Sequence, residues 1–163
     1  MAEPLPSIAA LKGALAPGQR LLGLDVGEKT IGLALSDTTV TVASPMETIR
    51  RGKFAADAER IGRIVAEQGV GGFVVGLPIN MDGSEGPRCQ SVRQFARNLL
   101  ERLDIEIAFW DERLSTAAVE RELIAANVTR ARRARVIDQH AAAFILQGAL
   151  DRLSRGALAP SKH

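Results

Sequence analysis

At 163 residues, with 46% hydrophobic and 25% charged side chains, the chain has the composition of one soluble globular domain large enough for a real core. Its single cysteine, Cys89, excludes an internal disulfide, no Cys/His cluster suits zinc, and no apolar run reaches membrane-spanning length, so a cytoplasmic protein is expected. The net charge of +2 says little, which leaves the local distribution of charge to inform on partners.

Residues 1–18, with Pro4, Pro6, Pro17 and Gly18, read as a loosely held extension with room for one short helical turn over 8–15. Glu3 stands where a secretion signal would be basic. The stretch LLGLDVGEKTIGLALSD (21–37) organises the rest of the chain. Two strand-length apolar runs, 20–26 and 30–36, meet in a tight turn at Gly27 and predict a β-hairpin. Alternation puts Leu22, Leu24 and Val26 on one side and Leu21, Gly23 and Asp25 on the other. Asp25 thus ends a core strand, where an unpaired charge is costly. Asp-x-Gly is also ordinary turn chemistry, so this segment alone leaves a structural turn and a functional carboxylate both open.

A third strand over 40–48 contains Pro45, which suits an edge or a bend. Phe54, Ala58, Ile61, Ile64 and Val65 recur at helical spacing and predict a helix over 53–67, ended by Gly69 and the Gly71-Gly72 pair. FVVG (73–76) has the composition of a strand buried on both faces. LPINMDGSEGP (77–87) is a loop of turn formers. Val92, Phe95, Ala96, Leu99, Leu100 and Leu103 form the stripe of a helix over 88–103, with Cys89 a small buried residue at its start. IEIAFW (105–110) is a fifth strand running into Asp111-Glu112-Arg113. Further helices are predicted over 116–126 and 135–153, the second preceded by a basic stretch, and the tail from 154 is expected to be disordered. Residues 19–153 then make one α/β domain. It is a mixed five-stranded sheet, its first three strands antiparallel and its last two parallel to strand one, with helices on both faces.

Sites in open α/β sheets lie at the carboxyl ends of parallel strands. Asp25 and the acids after the fifth strand are both there. Asp111 and Glu112 point to opposite faces, so only one can look toward Asp25, and alternation does not choose. Asp138 shares a helix face with Ala141, Ala142 and Ile145, where its charge is a second expensive one and the alanines admit close approach to the sheet. Each acid has a plain reading: Glu112 as a surface partner of Arg113, and Asp138 as an acid favoured by the helix dipole. Together, carboxylates without His or Cys suit Mg²⁺ or Mn²⁺, and two such ions about 3.5–4 Å apart are a device for phosphodiester hydrolysis. Arg130, Arg132, Arg133 and Arg135, with Arg113 and Arg121 upstream, suit a phosphate-binding surface, whereas one Trp, five Phe and no Tyr make no platform for stacking single-stranded bases. His140, about 200° round the helix from Asp138, reads as structural, as do Met46, Met81 and Trp110.

The stretches LGLDVGEKTIGLALSD, VVGLPINMDGSEGPR, WDERLST and IDQHAAAFIL, in this order and spacing, resemble the YqgF/RuvX family over about residues 20–153. The first 18 residues fall outside the likeness. The resemblance implies an RNase H-like fold and a metal-dependent endonuclease that processes the 5′ end of pre-16S ribosomal RNA. Its alternatives are a Holliday junction resolvase acting on branched DNA as a dimer and a non-catalytic nucleic-acid-binding module. It further implies that the catalytic and metal-binding acids are Asp25, Glu112 and Asp138, which selects Glu112 over Asp111. Asn80, Asp82 and Gly83 would form a motif loop beside the site. Lys29 and Arg113, with Arg130, Arg132, Arg133 and Arg135, would contact nucleic acid. Mg²⁺ or Mn²⁺ is the implied cofactor, a monomer suits RNA trimming, and a homodimer suits paired cuts in a junction. D-x-G-x-x-x-x-G after a strand also resembles the first phosphate loop of actin-like and sugar-kinase ATPases. Those need a second related domain with its own Gly-rich loop, for which 163 residues leave no room.

Overall fold

A computed structural model describes residues 3–114 and 130–158, with side chains described for 3–114 and 140–155. The helix expected over 116–126 lies outside the described residues. The hairpin forms as its pattern predicts: β1 (Arg20–Val26) pairs antiparallel with β2 (Thr30–Ser36), with Leu22 opposite Leu35 and Asp25 opposite Gly32. β3 (Ala43–Arg50) extends the sheet beyond β2, while β4 (Val70–Leu77) lies parallel to β1 and β5 (Glu106–Asp111) parallel to β4. The order is β3-β2-β1-β4-β5, the mixed sheet the sequence predicts.

Pro45 sits in the edge strand opposite Ala34, beside a register shift, where a missing N–H does least harm to the ladder. That strand starts at Ala43, later than expected, because Asp37 closes a loop of its own. Its carboxylate accepts the N–H groups of Thr41 and Val42 and the hydroxyls of Thr39 and Thr41. These bonds hold the Asp37 carboxyl far below the usual range, led by the one from Thr41 N–H.

Alternation divides the apolar side chains between two cores. Leu22, Leu24, Leu33, Phe73, Val75 and Ile107 pack with α2 (Phe54–Gln68) and α3 (Pro87–Arg102). Leu21, Ala34, Val74, Ala108 and Trp110 pack with α1 (Ile8–Ala14) and the long α4 (Arg130–Leu158). Gly69, at φ 65°, ends α2 unaided, its N–H bonded to the Val65 carbonyl. Gly71 and Gly72 serve differently, because both lie inside β4. A Cβ on Gly72 would sit 2.6 Å from Leu11 Cδ1, and one on Gly71 would strike the Gln19 carboxamide. These two glycines let the segment around α1 lie directly on the strand.

The first residues are therefore not a loose extension. Leu5 N–H donates to the Ile107 carbonyl at 2.7 Å, a bridge that covers the outer edge of β5. Ser7 caps α1 by accepting the Ala10 N–H at 3.0 Å, and Ile8 and Leu11 are buried. Spacing at 8, 11 and 15 makes an apolar stripe that clads β4 and β5, whereas α4 packs mainly on β1, β2 and β3. α4 itself begins at Arg130 and runs to Leu158, so the chain stays helical past residue 154, where disorder was expected. Among the described residues, no helix is long and apolar enough to cross a membrane.

The seat of α4 is Gly23, where a Cβ would lie 2.8 Å from Leu146 Cβ and 3.1 Å from the Ala142 carbonyl oxygen. Neither atom is the flexible end of a side chain. Gly23→Ala should accordingly destabilise the fold by about 1–3 kcal/mol, as overpacking does, with an unchanged m-value in urea. A loss below about 0.5 kcal/mol, the scale of ordinary surface substitutions, would show that the helix is not seated there.

Candidate active site

Asp25 is the penultimate residue of β1 and is half-buried. Its neighbours on that sheet face carry no side chains. Gly32 is opposite on β2, Gly23 precedes it by two, and Gly76 lies beside it on β4, one step past the Leu24–Val75 pair. The result is a glycine-floored bay in an otherwise apolar face, roofed by Ala142, Ile145 and Leu146 of α4. A Cβ on Gly76 would meet Ile145 Cδ1 at 2.7 Å and Glu112 Oε1 at 3.1 Å. Glu112 opens the 3₁₀ turn Glu112–Leu114 after β5, and its carboxylate reaches back over Gly76. Asp25 and Glu112 thus share one face of the sheet, at the carboxyl ends of their strands.

Asp111 takes the other face. Its register partner is Leu77, which belongs to the α2/α3 core. Both of its oxygens are held by Arg113, through Nε at 3.1 Å and Nη2 at 2.7 Å, and Oδ1 also accepts the Arg113 N–H at 2.9 Å. The guanidinium holds the Asp111 carboxyl below its usual range, and Asp111 raises Arg113 in return. Arg113 Nη1 also donates to the Asn80 and Met81 carbonyls at 3.3 Å each. Arg113, expected to contact phosphate, therefore staples the motif loop to the end of β5.

The loop itself is closed by its own residues. Asn80 N–H donates to the Ser84 carbonyl at 3.0 Å, and Gly83, at φ 89°, donates to the Asn80 carbonyl at 2.8 Å. Asp82 Oδ1 accepts the Ser84 hydroxyl at 2.6 Å and its N–H at 2.9 Å. Those bonds, with Arg113 nearby, depress the Asp82 carboxyl. Lys29 is exposed at the hairpin tip. Asp138 and Arg130, Arg132, Arg133 and Arg135 all lie within α4, Asp138 one turn before Ala142, and their side chains lie outside those described.

The donor chemistry is all oxygen. His140 stacks against Phe144, ring centres 6.2 Å apart, and Cys89 is fully buried with its thiol pushed up by burial, so neither offers a soft ligand. Asp25 and Glu112 fit a hard divalent cation, although among the described residues no group of three His, Cys, Asp or Glu is gathered. One participant was not evident from the sequence. Arg51, just after β3, donates from Nη1 to the Gly27 carbonyl at 2.6 Å and from its N–H to the Lys29 carbonyl at 2.9 Å, and it lies 5.1 Å over the Phe95 ring. It clamps the turn that follows Asp25. The run Arg50-Arg51-Gly52-Lys53 between strand and helix was the signal available.

The family described as "RuvX: Holliday junction resolvase" matches residues 19–152. A protein of Paramagnetospirillum magneticum named "Putative pre-16S rRNA nuclease" is 60% identical over 151 residues, covering 93% of this chain and 97% of that one. Another of the same name, from Rhodospirillum centenum, is 58% identical over 159 residues, covering 94% and 85%. Among solved structures, T. thermophilus RuvC in complex with a Holliday junction substrate matches with a TM-score of 0.54 at 11% identity, over 83% of this chain and 96% of that one. That likeness concerns the fold, and the expected RNase H-like architecture is borne out by it.

The Asp111–Arg113 pair generates a pH prediction. A carboxyl whose folded pKa is depressed stabilises above the unfolded value of about 3.9, and the contribution fades as the pH falls through it toward the lowered folded value. Asp111→Asn should be less stable than the wild type at neutral pH. In urea titrations the gap should narrow between about pH 5 and pH 3. A gap constant across that range would mean that the pair does not stabilise the fold.

Proposed function

This chain belongs to the RuvX family, and we propose that it is a divalent-metal-dependent endonuclease that cuts ribosomal RNA precursors at the 5′ end of the 16S sequence. The observation carrying this reading is the meeting of Asp25 and Glu112 at one glycine-floored bay, at the carboxyl ends of β1 and β5. Asp25, Glu112 and Asp138 would hold Mg²⁺ or Mn²⁺. When bound, such a cation supplies positive charge for the attacking and leaving oxygens of the phosphodiester.

The chain's own residues do the rest. The backbone of Asp25 is fixed by strand pairing to β2 on one side and by the neighbouring β1–β4 pairing on the other. Glu112 lies over Gly76, where no side chain stands in its way. The roof of α4 keeps bulk water from that side of the bay, which strengthens the interactions within it. Lys29 and the arginines at the start of α4 would neutralise backbone phosphates and hold the substrate in register without reading its bases. In this reading water adds directly to phosphorus and gives up a proton to solvent, the bond to the leaving oxygen breaks and that oxygen takes up a proton, and no side chain becomes covalently attached.

The family description favours a second reading, resolution of branched DNA, for which paired cuts would require two copies of the site. One assay addresses both. With Mn²⁺ or Mg²⁺, wild-type protein should cut an RNA spanning the 5′ end of a 16S precursor more efficiently than a four-way DNA junction. Asp25→Asn and Glu112→Gln should each reduce cleavage about 100-fold or more, the scale on which removal of a charge-stabilising group acts, while melting like the wild type. Faster cutting of the junction would favour the resolvase. No cutting of either substrate, or full activity in both variants, would refute the nuclease.

A further inference from the structure

Beside the hairpin turn, outside the carboxylate bay, lies a second cleft. Its volume is about 150 Å³, and its lining includes Gly27, Glu28, Arg51, Arg88 and Ser91. One water occupies about 30 Å³ of liquid, so the cleft admits something larger. Its two cations are held differently. Arg51 is fixed by the Gly27 carbonyl at 2.6 Å and the Phe95 ring at 5.1 Å. A guanidinium placed in advance loses little further freedom when a ligand arrives. Arg88, the second residue of α3, is exposed and has no ion pair among the described residues. The nearby Arg93, by contrast, is committed to Glu85 at 2.7 Å and to the Phe109 ring at 5.0 Å. Ser91 adds a hydroxyl, and Glu28, at the exposed hairpin tip, is the carboxylate on the rim.

The cleft begins at Val26 and Gly27, directly after Asp25 in the chain. Asp25 looks toward α4, whereas Arg51, over the Phe95 ring, and Arg88 and Ser91 of α3 lie on the α2/α3 side, so the bay and the cleft open on opposite faces at the same end of β1, and a polymer bound at both would round the hairpin turn. We propose that Arg51, Arg88 and Ser91 form a phosphate subsite. It grips a backbone phosphate of the nucleic acid on the other side of the hairpin turn from the bond cut at Asp25 and Glu112. The proposal deepens the nuclease reading and takes the identity of the polymer from it. Two forked guanidinium groups and a hydroxyl match the oxygens of a phosphate, and nothing in the set reads a base, so the grip is independent of sequence.

Binding of a fluorescein-labelled RNA hairpin with single-stranded flanks, followed by anisotropy across a potassium chloride series, tests it. Arg88→Gln should raise Kd about tenfold and reduce the slope of log K against log salt by about one. Arg88→Lys, which keeps the charge and loses the fork, should restore the slope but only part of the affinity. Arg51→Gln should lower the slope likewise; because Arg51 also clamps the turn, Arg88→Gln is the deciding variant. Arg60→Gln, which removes a surface partner of Glu47 on α2, serves as the reference and should leave the slope unchanged. A wild-type slope with Kd within about twofold in Arg88→Gln overturns the subsite. A loss of slope equal to that in Arg60→Gln overturns it too, since any surface arginine would then do. All these readouts are of binding. A wild-type protein that binds with the predicted slopes yet cuts nothing refutes the nuclease and leaves the subsite standing.

Discussion

A helix can lay its backbone on a β-sheet only where the sheet presents no side chains, and that constraint shapes this molecule. α4 rests on Gly23 of β1 and Gly76 of β4, touching down through Ala142, Ile145 and Leu146. The same glycines leave the carboxylates of Asp25 and Glu112 as the polar groups of that stretch of the face. Both acids are half-buried in a face otherwise filled by apolar side chains. That apolar packing is extensive: Leu21, Ala34, Val74, Leu146 and Leu150 are all essentially inaccessible. On the proposed reading, a divalent cation would bind against these acids.

Most of this architecture was legible in the sequence because it rests on period. The hairpin, the crossover helices and the parallel strands follow from alternation and helical spacing, and the two faces of β1 came out as alternation requires. What failed had specific causes. Gly71 and Gly72 looked like helix terminators because glycine is ambiguous in one dimension; in space they accommodate Leu11 and the Gln19 carboxamide. Pro4 and Pro6 suggested slack, yet the apolar spacing at 8, 11 and 15 was already enough to dock α1. Val40 sits at φ 58° in a loop organised by Asp37, a long-range consequence of four local hydrogen bonds that no periodicity announces.

The site was half legible for a different reason. That Asp25 was expensive could be read from one strand, but its partner could not, since Asp111 and Glu112 are adjacent and equally acidic. The choice depends on which face of β5 meets which helices, and that is fixed by the Leu77–Asp111 register with β4. Arg51 had only the basic run over 50–53 to signal it. It lies 26 residues after Asp25 and acts through the carbonyls of Gly27 and Lys29, and backbone acceptors have no sequence signature.

The adjacent acids also show how a strand end separates two tasks. Asp111 accepts Arg113 on the α2/α3 side, and the same guanidinium reaches the Asn80 and Met81 carbonyls, so the motif loop and the end of β5 move as one piece. Glu112, one residue on, inherits that rigidity while its own carboxylate faces the bay. Arg51 does the equivalent for the hairpin, holding the turn after Asp25 against Phe95. Both arginines steady a strand end through backbone carbonyls or through the neighbouring acid. A guanidinium engaged in that way fixes the backbone from which the next carboxylate projects.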